Sequence, residues 1–269
     1  MFVSSPRAAL APQPRIVIET GEGASLTVVQ HFIDGHAGSG WINSVTQVQQ
    51  AAGSKLVLYR IQRHGPEQAH TSLLAAEVGA DAELTVGYVD LGGQLIRNDV
   101  DVKLVERGAR AELFGLFLVG AGQHIDDHIL VDHAAPETRS DEAFRGIIGR
   151  RGRGVFNGKV IVRPNAQRID ARQSSDNLLL AEQAEIDTKP EFEIYADDVK
   201  CSHGSTVGEL DADQLFYLRT RGIDAAKARE LLTVAFAATV LERVVDRDLH
   251  QHLLQHVTAR LSAIAEQPT

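Results

Sequence analysis

Cys201 and His203 stand two apart in the run DDVKCSHGSTVG. On an extended strand that spacing points both side chains to one face and puts a sulfur and an imidazole nitrogen within reach of the same soft metal or cluster. Two donors do not complete a site, so a metal here needs ligands from elsewhere in the chain or from another subunit; the plainer explanation is a structural cysteine beside a surface histidine. A second row, His124, Asp126 and His128, followed by Asp132 and His133, shares a strand face in the same way. It lacks the HExxH order of a zinc hydrolase, and polar turns and solvated strand faces are the plainer account of it. The basic segment Arg145 to Arg172, with Arg150, Arg151, Arg153, Lys159, Arg163 and Arg168, could accept phosphate. It has no Walker loop, however, and GRRGRG has the wrong glycine spacing for a dinucleotide fold, so a solvated or subunit-facing strand surface is the better reading. No nucleophile elbow and no glycosidase carboxylate pair stand out. The chain does not read as a self-contained catalyst.

The elements that position these residues are strands. From Arg15 to about Val207 the sequence runs as short β-rich stretches separated by Gly and polar turns. DVDVKL (99–104) and EFEIYA (191–196) alternate with the period of two that a half-buried strand requires. Further strands are predicted over Arg15–Ile18, Ser25–Val29, Lys55–Ile61, Glu83–Val89, Ala111–Val119, His128–Val131 and Gly158–Val162. A loose repeat links them: GEGASLTVV, AAGSKLVLY, VGADAELTV and ERGARAELF each place a Gly before a strand, and Gly23, Gly53, Gly79 and Gly108 are 30, 26 and 29 residues apart. That period suits a right-handed parallel β-helix in which each repeat is one coil with a glycine at its corner; a β-sandwich is the alternative.

After Val207 the pattern turns helical. Asp211 with Gln214 begins a short helix that Gly222 and Ile223 close as a Schellman stop. Asp224 caps a second helix, whose Ala228, Leu231, Leu232, Ala235, Phe236 and Thr239 recur at three- and four-residue spacing. A third, from about Asp246, carries Leu249, Leu253, Val257, Leu261 and Ile264 on one side. The predicted organisation is a flexible tail (1–14), a mainly β parallel β-helix core (15–208) and a small C-terminal α-helical domain (209–269).

Composition sets outer bounds. With 269 residues, 43% hydrophobic and 23% charged, the chain is long enough for a sizeable core. Its 27 Lys plus Arg against 36 Asp plus Glu, formally −9, disfavour nucleic acid as a partner. A single cysteine precludes an internal disulfide and fits a reducing compartment. The stretch MFVSSPRAALAPQPR is too interrupted by Arg7 and its prolines for a signal peptide, and the apolar run Leu231 to Leu241 is too short to span a bilayer. A cytoplasmic location is expected.

The segment AEIDTKPEFEIYADDVKCSHGSTVGELDADQLFYLRTRGI (184–223) closely resembles the SufB/SufD family, scaffold subunits of the Suf iron-sulfur cluster assembly machinery, and YADDVKCSHG favours its SufD branch. HIDDHILVDHAAPETRSDEAFRGI, GRGVFNGKVIV and SSDNLLL extend the likeness upstream, so that it is strong from about Gln123 to Val244. The resemblance implies a right-handed parallel β-helix followed by a helical domain, a non-catalytic role, pairing with a SufB-like subunit, and binding of the SufC ATPase through the C-terminal helices. It implies a transient iron-sulfur cluster at the subunit interface with His203 as a ligand and Cys201 adjacent, and reduced flavin associated with the complex but not sited in this chain. Self-pairing of the isolated chain is left open. The family's additional amino-terminal helical region is not matched, since the repeats begin within about fifteen residues. The alternatives are a β-helical carbohydrate-active enzyme using Asp126, Asp127 and Asp132, and a mononuclear metal-binding module centred on His124 and His128.

Overall fold

Parallel pairing governs the chain from Arg15 to Gly208. In the computed structural model, which describes residues 11–34 and 39–265, one seven-stranded sheet holds β1 (Arg15–Thr20), β3 (Gly40–Gln50), β5 (Gln68–Val78), β7 (Leu95–Leu104), β9 (His124–His133), β11 (Arg153–Val162) and β13 (Glu185–Ile194). The facing sheet holds β2 (Ser25–Ile33), β4 (Lys55–Arg63), β6 (Glu83–Asp90), β8 (Arg110–Val119), β10 (Arg139–Ile148), β12 (Ile169–Leu179) and β14 (Val199–Gly208). Every strand lies in register beside the one two along, 26 to 32 residues later. One odd and one even strand therefore make one coil, and the core is a β-solenoid of about seven turns. Most of the predicted tail lies outside the described residues.

The predicted glycine period marks one corner of the coils. Gly23, Gly53 and Gly108 adopt left-handed backbone with φ of 64°, 66° and 75°, a conformation that costs glycine no Cβ clash. Gly79 does not. There the left-handed residue is Asp81, and Gly79 is required instead because a Cβ would meet the Gln50 carbonyl oxygen at 2.6 Å. Glu137 and Arg168 take over in later coils. Each of these six residues donates its N–H to a carbonyl of the following coil: Gly23 to Ala52, Gly53 to Ala80, Asp81 to Arg107, Gly108 to Pro136, Glu137 to Gln167 and Arg168 to Asp198, at 2.7–3.4 Å. The corner is thus a hydrogen-bonded ladder along the stack.

Inward apolar side chains fill the space between the sheets, with Leu58, Leu74, Val86, Val102, Leu113 and Val131 buried and Phe144 and Phe156 packed at a centroid distance of 5.0 Å. β4, β6 and β8 lose their alternation toward their C-terminal ends because helices cover the outer face there. Three helices follow the solenoid, α1 (Ala212–Thr220), α2 (Ala225–Leu241) and α3 (Arg247–Ala265), and it is α2 and α3 that lie on this face, α1 burying no residue of its own. Val240, Leu241, Leu253, Val257, Leu261 and Ile264 join Tyr59, Ile61, Val89, Leu116, Leu118 and Ile147 in one cluster, so α2 and α3 share a core with the solenoid.

The helix signals read from the sequence are realised. Asp211 accepts from the N–H groups of Asp213 and Gln214. Gly222, at φ 84°, donates to Arg219 and Ile223 to Leu218, the two bonds of a Schellman stop. Asp224 accepts from Lys227 at 3.0 Å and Asp246 from Leu249 at 2.8 Å. The expected face of α3 is buried, whereas α2 is rotated from expectation: it buries Ala228, Thr233, Ala237, Val240 and Leu241, and Leu231 is exposed.

Candidate functional site

The last coil carries the Cys201–His203 pair. EFEIYA does not continue into it as one strand: β13 ends at Ile194, the chain turns a corner, and β14 begins at Val199 in the opposite sheet. β13 and β14 are each the last strand of their sheet, so their inward side chains rest on the coil below and have no described coil above. Cys201 and His203 share that inward face, in register with the buried Ala171 and Gln173 of β12. Phe192 of β13 approaches His203 at a ring-centroid distance of 5.0 Å, and Thr188 and Ser205 bond across the coil at 2.8 Å. The end of the solenoid is an exposed cross-section of its own interior, with Ile194 and Val207 also open to solvent.

The two donors differ chemically. His203 is exposed, and Cys201 is half-buried and packs against the core. Burial pushes the Cys201 thiol above its ordinary value, the Asp170 charge adds to the rise, and a hydrogen bond with the Ala171 backbone opposes it. Thiolate, not thiol, binds metal, so the imidazole is the readier donor. Among the described residues no group of three or more His, Cys, Asp or Glu side chains converges on a metal position. The residues fit a partial ligand set.

Two residues of this column were not singled out from the sequence. Glu142 of β10 is the register partner of Gln173, which is the register partner of His203, at spacings of 31 and 30 residues. Gln173 Nε2 donates to Glu142 Oε2 at 2.9 Å. Burial pushes the Glu142 carboxyl up to about 8. The only sequence signal was their separation, which equals one coil.

The other sequence candidates disperse. His124, Asp126 and His128 lie on the outer face of β9, where Arg97 binds Asp126 at 2.5 Å and His128 Nε2 lies 2.9 Å from it. A guanidinium thus occupies the carboxylate a metal would need. Asp127 points inward to Asn98, and Asp132 pairs with Arg163 at 2.9 Å, so the three aspartates do not face one substrate. The basic segment is neutralised piecemeal: Arg153 by Asp187, Lys159 by Glu193, Arg163 by Asp132 and Arg168 by Glu137, while Arg145 stacks on Phe236 at 4.6 Å. No described helix is long and apolar enough to cross a membrane.

Fold and site together define a parallel β-helical protein with a helical flank and an exposed histidine beside a half-buried cysteine at one open end. The family described as "SUF system FeS cluster assembly, SufBD core domain" matches residues 2–236, and the chain belongs to it. It is 34% identical over 247 residues to the iron-sulfur cluster assembly protein SufD of Escherichia coli, covering 91% of this chain and 58% of that protein. It is 30% identical over 256 residues to a SufBD family protein of Synechocystis sp., covering 92% and 56%. Against the chloroplastic protein ABCI7 of Arabidopsis thaliana it is 32% identical over 252 residues, covering 92% and 53%. The chain thus spans a little over half the length of these relatives.

Proposed function

We propose that this chain is a non-catalytic scaffold subunit in iron-sulfur cluster assembly that pairs with a SufB-like subunit through its open β13–β14 end and lends His203 to a nascent cluster held between the two. The observation that carries this reading is the placement of His203: an exposed imidazole on the inward face of a terminal coil, where a second molecule stacking on the solenoid would meet it. Cluster iron accepts imidazole or thiolate donors, and the missing donors then come from the partner. The cluster is cargo, formed and passed on. The α1–α2 surface, with Phe216, Tyr217 and Leu231 exposed, supports docking of the SufC ATPase.

Co-expression with SufB-like and SufC-like proteins, anaerobic affinity purification and quantification of iron and sulfide test this reading. Both proteins are expected to co-purify, and His203→Ala to lower cluster yield several-fold with association intact. Failure to co-purify removes the partner assignment; an unchanged cluster yield removes His203 from the site.

A further inference from the structure

We propose that Gln173 is a positioning residue for His203: its amide oxygen accepts the imidazole N–H and so fixes which ring nitrogen is left to face a ligand at the open end. This rests on the reading of His203 as a ligand, but the hydrogen bond it calls for needs only this chain, whose Gln173 Oε1 is still without a partner.

Three observations place the amide. Glu142, Gln173 and His203 occupy one inward column on successive coils. The donor end of the Gln173 amide is committed to the coil below, where Nε2 meets Glu142 Oε2 at 2.9 Å. On the opposite wall a Cβ at Gly158 would run into this amide, so the amide lies close against that backbone and depends on the missing methyl for its place. What remains is Oε1. Gln173 is 3% exposed, and its Oε1 is buried with no hydrogen-bond partner. A buried acceptor left so carries its full desolvation cost, and the coil on its far side supplies His203 at the in-register position.

An imidazole offers an N–H in either neutral tautomer. When one ring nitrogen of the neutral imidazole keeps its proton and donates that N–H to a fixed carbonyl, the other is unprotonated, and its lone pair is held in a set direction. Metal-binding histidines commonly have this outer partner, a carbonyl or carboxylate that sets tautomer and ring orientation. Glu142 serves the arrangement one step further back. As carboxylate or as neutral acid it can accept from Nε2, which keeps the amide oxygen turned toward His203.

The test is NMR of the His203 ring nitrogens in the chain alone, without metal or partner, comparing wild type with Gln173→Leu and Glu142→Gln. Wild type is expected to show one dominant tautomer with a ring N–H protected from solvent exchange. Gln173→Leu should mix the tautomers and lower that protection about tenfold, the equivalent of one ordinary hydrogen bond. Glu142→Gln keeps the shape of the core but lets both amides turn over, so an intermediate result is expected; it carries the test if the leucine variant does not fold. Identical tautomers and exchange in wild type and both variants overturn the proposal. A Gln173-dependent tautomer combined with undiminished cluster yield in His203→Ala upholds the contact and removes the ligand reading instead.

Discussion

His203 and Cys201 share a face but not a state. The spacing of two made their shared orientation legible, and nothing local revealed that one ring would be exposed against Phe192 while the thiol beside it sank toward the core. Burial raises the thiol's pKa, so Cys201 should alkylate slowly at neutral pH and accelerate only as the solution becomes clearly alkaline. Mass-spectrometric time courses with iodoacetamide check this, and rapid labelling at pH 7 would contradict it. Gln173 was illegible for a different reason. Its neighbours are one coil away in each direction, and a single sequence does not reveal its register until the coil length is known at that point in the chain.

Among the elements, the helices were legible because their stop and start signals are local. Asp224 accepts from Lys227 at the start of α2, and Asp224→Ala should cost about 1 kcal/mol, read as a lower melting temperature. The rotation of α2 was missed because its scaffold-facing side is made of small and polar residues, Ala228, Thr233 and Ala237, which carry no apolar signal of their own. β3, β5, β10 and β12 were not anticipated, for a related reason. Their inward positions hold Ser44 and Thr46, His70 and Ser72, Ser140 and Glu142, and Gln173, Ser175 and Asn177, all buried. A strand whose hidden face is polar shows no hydrophobic alternation. Only closure against the next coil, as in Ser72 to Asn98 at 2.7 Å and His70 to Ser44 at 2.8 Å, makes those positions tolerable.

For the molecule as a whole, this polar interior ties stability to pH from both sides. Burial raises Asp90 to about 7 and Glu142 to about 8, and it raises Asp127 as well, the two aspartates sharing the Asn98 amide. Each acid holds its proton more tightly when folded than when unfolded. Its contribution is therefore complete below about pH 4 and is lost as pH rises through the folded value. Buried histidines act in the opposite sense: burial lowers His133 to about 4 and His70 to about 2, so stability is lost as pH falls below about 6.5, where the unfolded imidazole takes up a proton. A mildly acidic maximum follows. Glu142→Gln should flatten the alkaline side, which falls by at most about 1.4 kcal/mol per pH unit for that one group. Melting curves between pH 5 and 8.5 measure it, and a pH-independent offset between variant and wild type would refute the assignment.

A stack held only by its neighbours frays from its ends, because a terminal coil loses one set of contacts and gains none. Here the middle is gripped sideways as well: Arg243 reaches Glu112 and Asp141, the Val245 N–H donates to Tyr59, and Arg260 meets Gln123. Amide deuterium uptake should accordingly be slowest in β6, β8 and β10 and fastest in the terminal strands β1, β2, β13 and β14. The coil carrying His203 is then one of the two that breathe most, free to rearrange without loosening the rest.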